Sequence, residues 1–184
     1  MTTTSPVLTP RQQFLSDLWD EHVLHEFGTQ DTEETLETMT PRARVNHVPV
    51  LTGGRGRAEL RRFYSTWFIP VNPTDVQMTE ISRTVGADSL AFEFVATFTH
   101  TTEISWLLPG VAPTGRRIEL AAVVIVTFDG DKLASEQIYW DQASVLVQVG
   151  LLQRDGLPVV GVESARKVLD PTLPSNELIT GGRG

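Results

Sequence analysis

At 184 residues, 40% hydrophobic and 21% charged, the chain has the size and composition of one globular domain with a real core. Its 15 basic and 23 acidic side chains give a net charge of −8, which argues against binding nucleic acid through a basic footprint. The lack of cysteine excludes disulfides, thiol nucleophiles and thiolate metal sites. It also fits a reducing compartment, and cytoplasmic is the expected location. No apolar run reaches the ~18 residues of a membrane span. The opening MTTTSPVLTPRQQ lacks the basic-then-apolar order of a secretion signal.

In chain order, TPRQQFLSDLWDEHVLHEF predicts a helix. Thr9 is its N-cap, Pro10 its first residue and Gln12 the capping-box partner, and Gly28 ends it. Phe14, Leu15, Leu18, Trp19 and Val23 share one broad face. A shorter helix follows, capped by Asp31 and limited by Pro41. RVNHVPVL reads as a short strand that Pro49 sends to an edge or a bend. GGRGRAELRRFYSTWF reads as a glycine turn and then a helix with Leu60, Phe63, Tyr64 and Trp67 in register. Next come two hairpins: DVQMTEISRTVG with SLAFEFVATFTH, and RRIELAAVVIVTF with LASEQIYWDQ. ASVLVQVGLL is a short helix or helical turn, and VESARKVL is a helical piece in a tail rich in Pro and Gly. Helices first and long antiparallel strands later define an α+β protein. The expected division is an N-terminal arm over 1–9, one domain over 10–152, and an extension over 153–184 that packs on the domain or on a partner subunit.

The segment FTHTTEISWLLPGVAPTGRRIELAAVVIVTFDGDKLASEQIYWDQ carries a resemblance. Its Thr-His, Pro-Thr-Gly turn, long apolar strand, Asp-Gly-Asp-Lys and aromatic-Asp strand end resemble the nuclear-transport-factor-2-like superfamily, SnoaL-like branch. The likeness spans about residues 10–150. It implies a cone-shaped fold, in which a strongly curved, mostly antiparallel sheet wraps three helices of the N-terminal half around a deep apolar pocket. Such folds serve isomerases, cyclases, dehydratases and hydrolases, and also transport and assembly proteins, so the fold does not fix the function.

Asp141 matches the acid that ends the last strand in many of these enzymes, and Tyr139 and Gln137 share its strand face. The resemblance makes Asp141 a general acid or base; Tyr139 could stabilise a developing oxyanion, provided its hydroxyl converges on the pocket. The alternative for Asp141 is a cap on the following helix, with Ser144 three residues on. His47 occupies the place of a polar pocket residue two before a proline, and an imidazole there could exchange a proton with a substrate. His100 shares parity with Phe92, Phe94 and Phe98, and is either a second proton partner or a strand-end residue holding the connector. Glu93 falls on the other face. His22 sits in the apolar arc of the first helix with Glu26 four residues on. These two and His25 raise a metal site, against which a buried histidine bonded to a carboxylate is the simpler reading. Trp67 and Trp106 are candidate pocket walls. The histidine of the polyketide cyclases aligns with Val124, and the arginine and second acid of the epoxide hydrolases align near Phe94 and Ala96, so neither mechanism transfers.

The expected function is therefore cofactor-independent acid–base chemistry on an apolar or aromatic small molecule. Asp141, His47, His100 and Tyr139 would do the chemistry, and His22, Trp67, Phe94, Phe98, Trp106 and Val124 would hold the substrate. A non-catalytic ligand-binding or protein-interaction module is the alternative, and a homodimer is the expected state. No metal, nucleic acid or membrane is called for.

Overall fold

The computed structural model describes residues 7–181. Helix α1 (Pro10–Val23) starts at the Thr9–Gln12 capping box and passes into a π-turn over Leu24–Gly28. Helix α2 (Thr32–Glu37) starts at Asp31, whose carboxylate accepts from the N–H groups of Glu33 and Glu34. Strand β1 is Met39–His47 and β2 is Thr52–Arg55. Helix α3 (Gly56–Arg62) also ends in a π-turn, Phe63–Phe68. Strands β3 (Gln77–Val85), β4 (Ser89–Thr99), β5 (Arg117–Asp129) and β6 (Lys132–Trp140) follow. Helices α4 (Gln142–Gln148), α5 (Glu163–Leu169) and α6 (Glu177–Thr180) complete the chain.

The strands form one open sheet in the order β2-β1-β6-β5-β4-β3. All pairs are antiparallel except β1 with β6, which is parallel and sets Val45 opposite Glu136 and His47 opposite Ile138. The expected α+β class and N-terminal helices are present. Two local expectations change. Pro41 lies inside β1, where the pairing with β6 skips from Met39 to Arg44; this irregularity accommodates the missing N–H. The glycines read as a turn instead form edge strand β2. Gly53, at φ +137°, comes so close to the carbonyl oxygen of Val45 that a side chain would collide with it.

The inner face of the sheet meets α1 and the α3 π-turn over a core that includes Leu15, Leu60, Phe63, Phe98, Ile118 and Val126. Outside, α5 packs against β5 and β4 of its own chain. The Ser144 hydroxyl donates to the Gly161 carbonyl at 2.7 Å, and the Gln148 side chain bonds both peptide groups of Glu119 where β5 outruns β6. Between α5 and the distal hairpin the outer face leaves Tyr139 46% and Ile125 38% exposed. Among the described residues, no helix is long and apolar enough to cross a membrane. Of the expected N-terminal arm, residues 1–6 lie outside the described residues.

Candidate functional site

A cavity opens between the inner face of the sheet and the helices. The space free of protein atoms there is about 780 Å³ with the open solvent at its mouth included. Aromatic and aliphatic side chains make almost all of its wall. Those predicted from strand parity are there: Phe94 and Phe98 from β4 and Val124 from β5, with Trp106 from the connector and His47 from β1. The acidic groups on the wall are Glu26 and Glu136.

Each carboxylate arrives there for a local reason. In α1 the positions of Trp19, His22, Val23 and Glu26 share one face, and the π-turn begins just before Glu26. In β6, alternation carries Glu136, Ile138 and Trp140 inward. His22 is fully buried behind the wall. Its Nε2 lies 3.3 Å from Oε1 of Glu26 and 3.1 Å from Oε1 of Glu136. The contact to Glu136 is a close buried ion pair whose angle is poor for a hydrogen bond. The other ring nitrogen, Nδ1, lies 2.6 Å from the Thr38 hydroxyl, which gives its own hydrogen to the Thr35 carbonyl at 2.6 Å. Thr38 therefore accepts from Nδ1–H, and Nε2 is left for the carboxylates. The Tyr64 hydroxyl, from the α3 π-turn, stands 3.5 Å from Nε2 and faces both acids.

The electrostatics follow from burial and from these neighbours. Burial alone would push the His22 imidazole down, but Glu136 and Glu26 outweigh it and hold it up at about 10, so it is an imidazolium at neutral pH. Burial pushes the Glu26 carboxyl up against the pull of His22. Burial, with the two acids, raises the Tyr64 phenol far above its usual range and keeps it a donor.

His47 lies toward the other end of the wall, among the rings of Phe63, Phe68, Trp106 and Trp140, at 5.2–5.8 Å between centroids. No acid accompanies it. Burial lowers it to about 4, and Nδ1 lies 3.3 Å from the Thr52 carbonyl, so it is neutral and donates there.

Other expected site residues stand elsewhere. Asp141 is exposed and caps α4, accepting from the Ala143 N–H at 3.0 Å. Tyr139 shares its parity, but that parity is the outer face, so both leave the cavity's chemistry. His100 continues the parity of Phe98 but lies past the end of β4. There it is buried under the connector with Nδ1 3.1 Å from the Thr114 hydroxyl, off the cavity wall. Trp67 is 38% exposed beneath the Arg62 guanidinium, because the π-turn adds a residue and brings Phe68 to the core in its place. Glu93 faces outward, as parity predicts, and accepts from the Ser82 hydroxyl. Sequence reasoning missed Glu136, Asn72 and Trp140 on the wall. Parity with Trp140 was the available signal for Glu136.

Nε2 of His22 and the oxygens of Glu26 and Glu136 lie within 4.8 Å of one another, close enough for one divalent ion to bridge them. The His22 imidazolium supplies positive charge at the same spot. His25 is not in this group; it bonds Thr29 at 3.1 Å.

The fold is that of the nuclear-transport-factor-2-like proteins. Within that class, the chain belongs to the SnoaL-like domain family, whose model matches residues 21–136. A structure from Jannaschia sp. CCS1 named as a SnoaL-like polyketide cyclase is similar over 81% of this chain and 100% of its own, with a TM-score of 0.63 and 16% identity. AclR from Streptomyces galilaeus, named as a hydroxylase, aligns over 77% of this chain and 88% of its own, with a TM-score of 0.57 and 18% identity. A ketosteroid-isomerase-like protein from Catenulispora acidiphila, solved with trimethylamine, aligns over 82% and 100%, with a TM-score of 0.57 and 16% identity. At these identities the likeness is one of fold. No curated protein matches the chain.

Proposed function

We propose that this protein is a small-molecule enzyme that moves protons on an apolar or aromatic substrate held in the cavity, without an organic cofactor or metal. The observation that carries the reading is the pair of buried carboxylates, Glu26 and Glu136, on an otherwise apolar wall and clamped to one imidazolium. A carboxylate in such surroundings is stabilised by His22 and Tyr64 from behind and is free to take a proton from the cavity side. Glu136, on the cavity wall and held ionised by the His22 imidazolium behind it, is the general base. Glu26, whose carboxyl burial favours protonation, returns the proton. His22 offsets the charge as it shifts between them, and neutral His47 is a second acceptor toward the other end. Isomerisation, cyclisation, dehydration and hydrolysis all draw on such a set.

The test is deuterium uptake at the α-carbon of 1-tetralone in D2O. The protein should accelerate exchange, and Glu136→Gln should remove about 100-fold of that rate with the fold intact by circular dichroism. Equal rates in the variant and the parent would falsify the role of Glu136. A second reading, a dimeric binding module, draws on the exposed outer face around Tyr139 and Ile125. It expects a dimer in sedimentation and no proton exchange.

A further inference from the structure

His22, Glu26 and Glu136 come together as the ligands of a metal ion do. In a tetrahedral zinc site, bonds of about 2.0–2.2 Å set neighbouring ligand atoms about 3.4 Å apart. Nε2 of His22 lies 3.3 Å from Oε1 of Glu26 and 3.1 Å from Oε1 of Glu136, close to that spacing in both cases. The three ligand atoms all fall within 4.8 Å of one another. Oε1 of Glu136, on a residue only 3% exposed, points at Nε2 without forming a hydrogen bond, so its lone pairs stay available to an ion.

The groups around them match as well. A histidine ligand gives its second N–H to an oxygen, which fixes the ring and its tautomer. His22 does so: Nδ1 donates to the Thr38 hydroxyl at 2.6 Å, and Thr38 is itself held by the Thr35 carbonyl. Nε2 is therefore the nitrogen that faces the acids. The Tyr64 hydroxyl faces the same acids and supplies a donor for a carboxylate oxygen that an ion does not use. Glu26 and Glu136 both stand on the cavity wall, which gives an ion its way in and leaves a side open for a fourth ligand. One imidazole and two carboxylates suit zinc. Magnesium and calcium take six or more oxygens, several of them from water, and this largely apolar wall does not supply them.

We propose that His22, Glu26 and Glu136 form a binding site for one zinc ion, and that zinc held there inhibits the protein. The ion takes the Nε2 lone pair, and the proton carried there leaves to the buffer. It also occupies the carboxylates that otherwise move protons. The chemistry runs on the metal-free cluster, so a chelator leaves the rate of zinc-free protein unchanged. The inhibition rests on the acid–base reading above; the binding does not.

Zinc binding tests the site directly. Zinc-free protein is titrated with Zn2+ alone in competition with a chromophoric chelator. One ion should bind per chain with a Kd below about 10 µM. Glu26→Gln and Glu136→Gln should each weaken binding about 100-fold or more. Thr38→Val, which removes only an outer partner, should weaken it about tenfold, and Thr38→Ser should restore it. Circular dichroism shows which variants are folded. Co2+ on the parent protein, which needs no variant, should give the intense visible bands of a four-coordinate ion. A Kd above about 10 µM, or binding that both carboxylate variants leave intact while folded, overturns the site. Binding lost in His25→Gln instead would place the ion on the surface, where His25 lies 3.8 Å from Glu21, and overturns it too. Zinc should also stop deuterium exchange into 1-tetralone, and excess chelator should restore it. Binding that leaves exchange unchanged overturns the inhibition. Lack of exchange in zinc-free protein overturns the acid–base reading and leaves the zinc site standing.

Discussion

Nε2 of His22, on the first helix, stands 3.1 Å from Oε1 of Glu136, on the last strand, and Glu26 reaches the same nitrogen at 3.3 Å. Two buried acids and one imidazolium leave a net negative charge unless one acid keeps a proton. Burial pushes the Glu26 carboxyl up and so favours the proton there, against the pull of His22. The cluster sets two acids and an imidazolium beside an apolar cavity, and the first prediction concerns which acid moves a proton. Turnover should fall by about 100-fold in Glu136→Gln. Asp141→Ala should leave turnover intact and lower stability by about 1 kcal/mol, the cost of a lost helix cap. Loss of turnover in Asp141→Ala at full folding would restore the strand-end acid as the base. A chelator should change neither rate.

Tyr64 donates toward both acids and draws the Glu26 carboxyl down against its burial. Without that hydroxyl Glu26 holds its proton to higher pH. In Tyr64→Phe the alkaline limb of kcat/KM, which reports the acid that must keep its proton, should therefore move to higher pH. An unmoved limb would show that the phenol does not touch the titrating group.

His47 tests the aromatic end by stability. Unfolded, its imidazole takes up a proton near 6.5; folded, burial delays this to about 4. Its contribution is whole above 6.5 and is lost as pH falls toward 4, by on the order of 3 kcal/mol. The stability of His47→Phe relative to the parent should rise by that order between pH 7 and pH 4 in urea melts. A difference constant with pH would mean that His47 takes up its proton at the same pH folded and unfolded, so that burial does not delay it. His22 runs the other way, since its contribution is whole below 6.5 and is lost as pH rises through about 10.

The Thr38 hydroxyl holds His22 by accepting from Nδ1–H while bonded to the Thr35 carbonyl. Thr38→Val strands a buried imidazole donor and should cost about 1–3 kcal/mol, whereas Thr38→Ser should cost much less. Thermal melts of the two variants separate the hydroxyl from the methyl group.

Much of this was legible where the signals are local. The Thr9–Gln12 box and the Asp31 cap lie within four residues of what they bond, and the β4 wall of Phe94 and Phe98 follows from alternation. Two kinds of information were missing. Alternation says that Gln137, Tyr139 and Asp141 share a side, but not whether that side is inner, and aromatic neighbours on both parities hid the answer. A π-turn cannot be foreseen from 3.6-residue spacing, so Trp67 was predicted where Phe68 stands. The proton cluster was half visible as His22 and Glu26 on one helical face. Its third member comes from the far end of the domain.

The parallel pairing of β1 with β6 decides when that member arrives. Both hairpins lie between Val45 and its partner Glu136 in the sequence. This is a contact of long sequence separation, and such contacts close slowly. A nascent chain that stops before β6 therefore carries His22 and Glu26 without Glu136, and without the strand that closes the sheet against β1. Truncations short of Trp140 should lose the cavity's chemistry together with the sheet, rather than keep a weakened site.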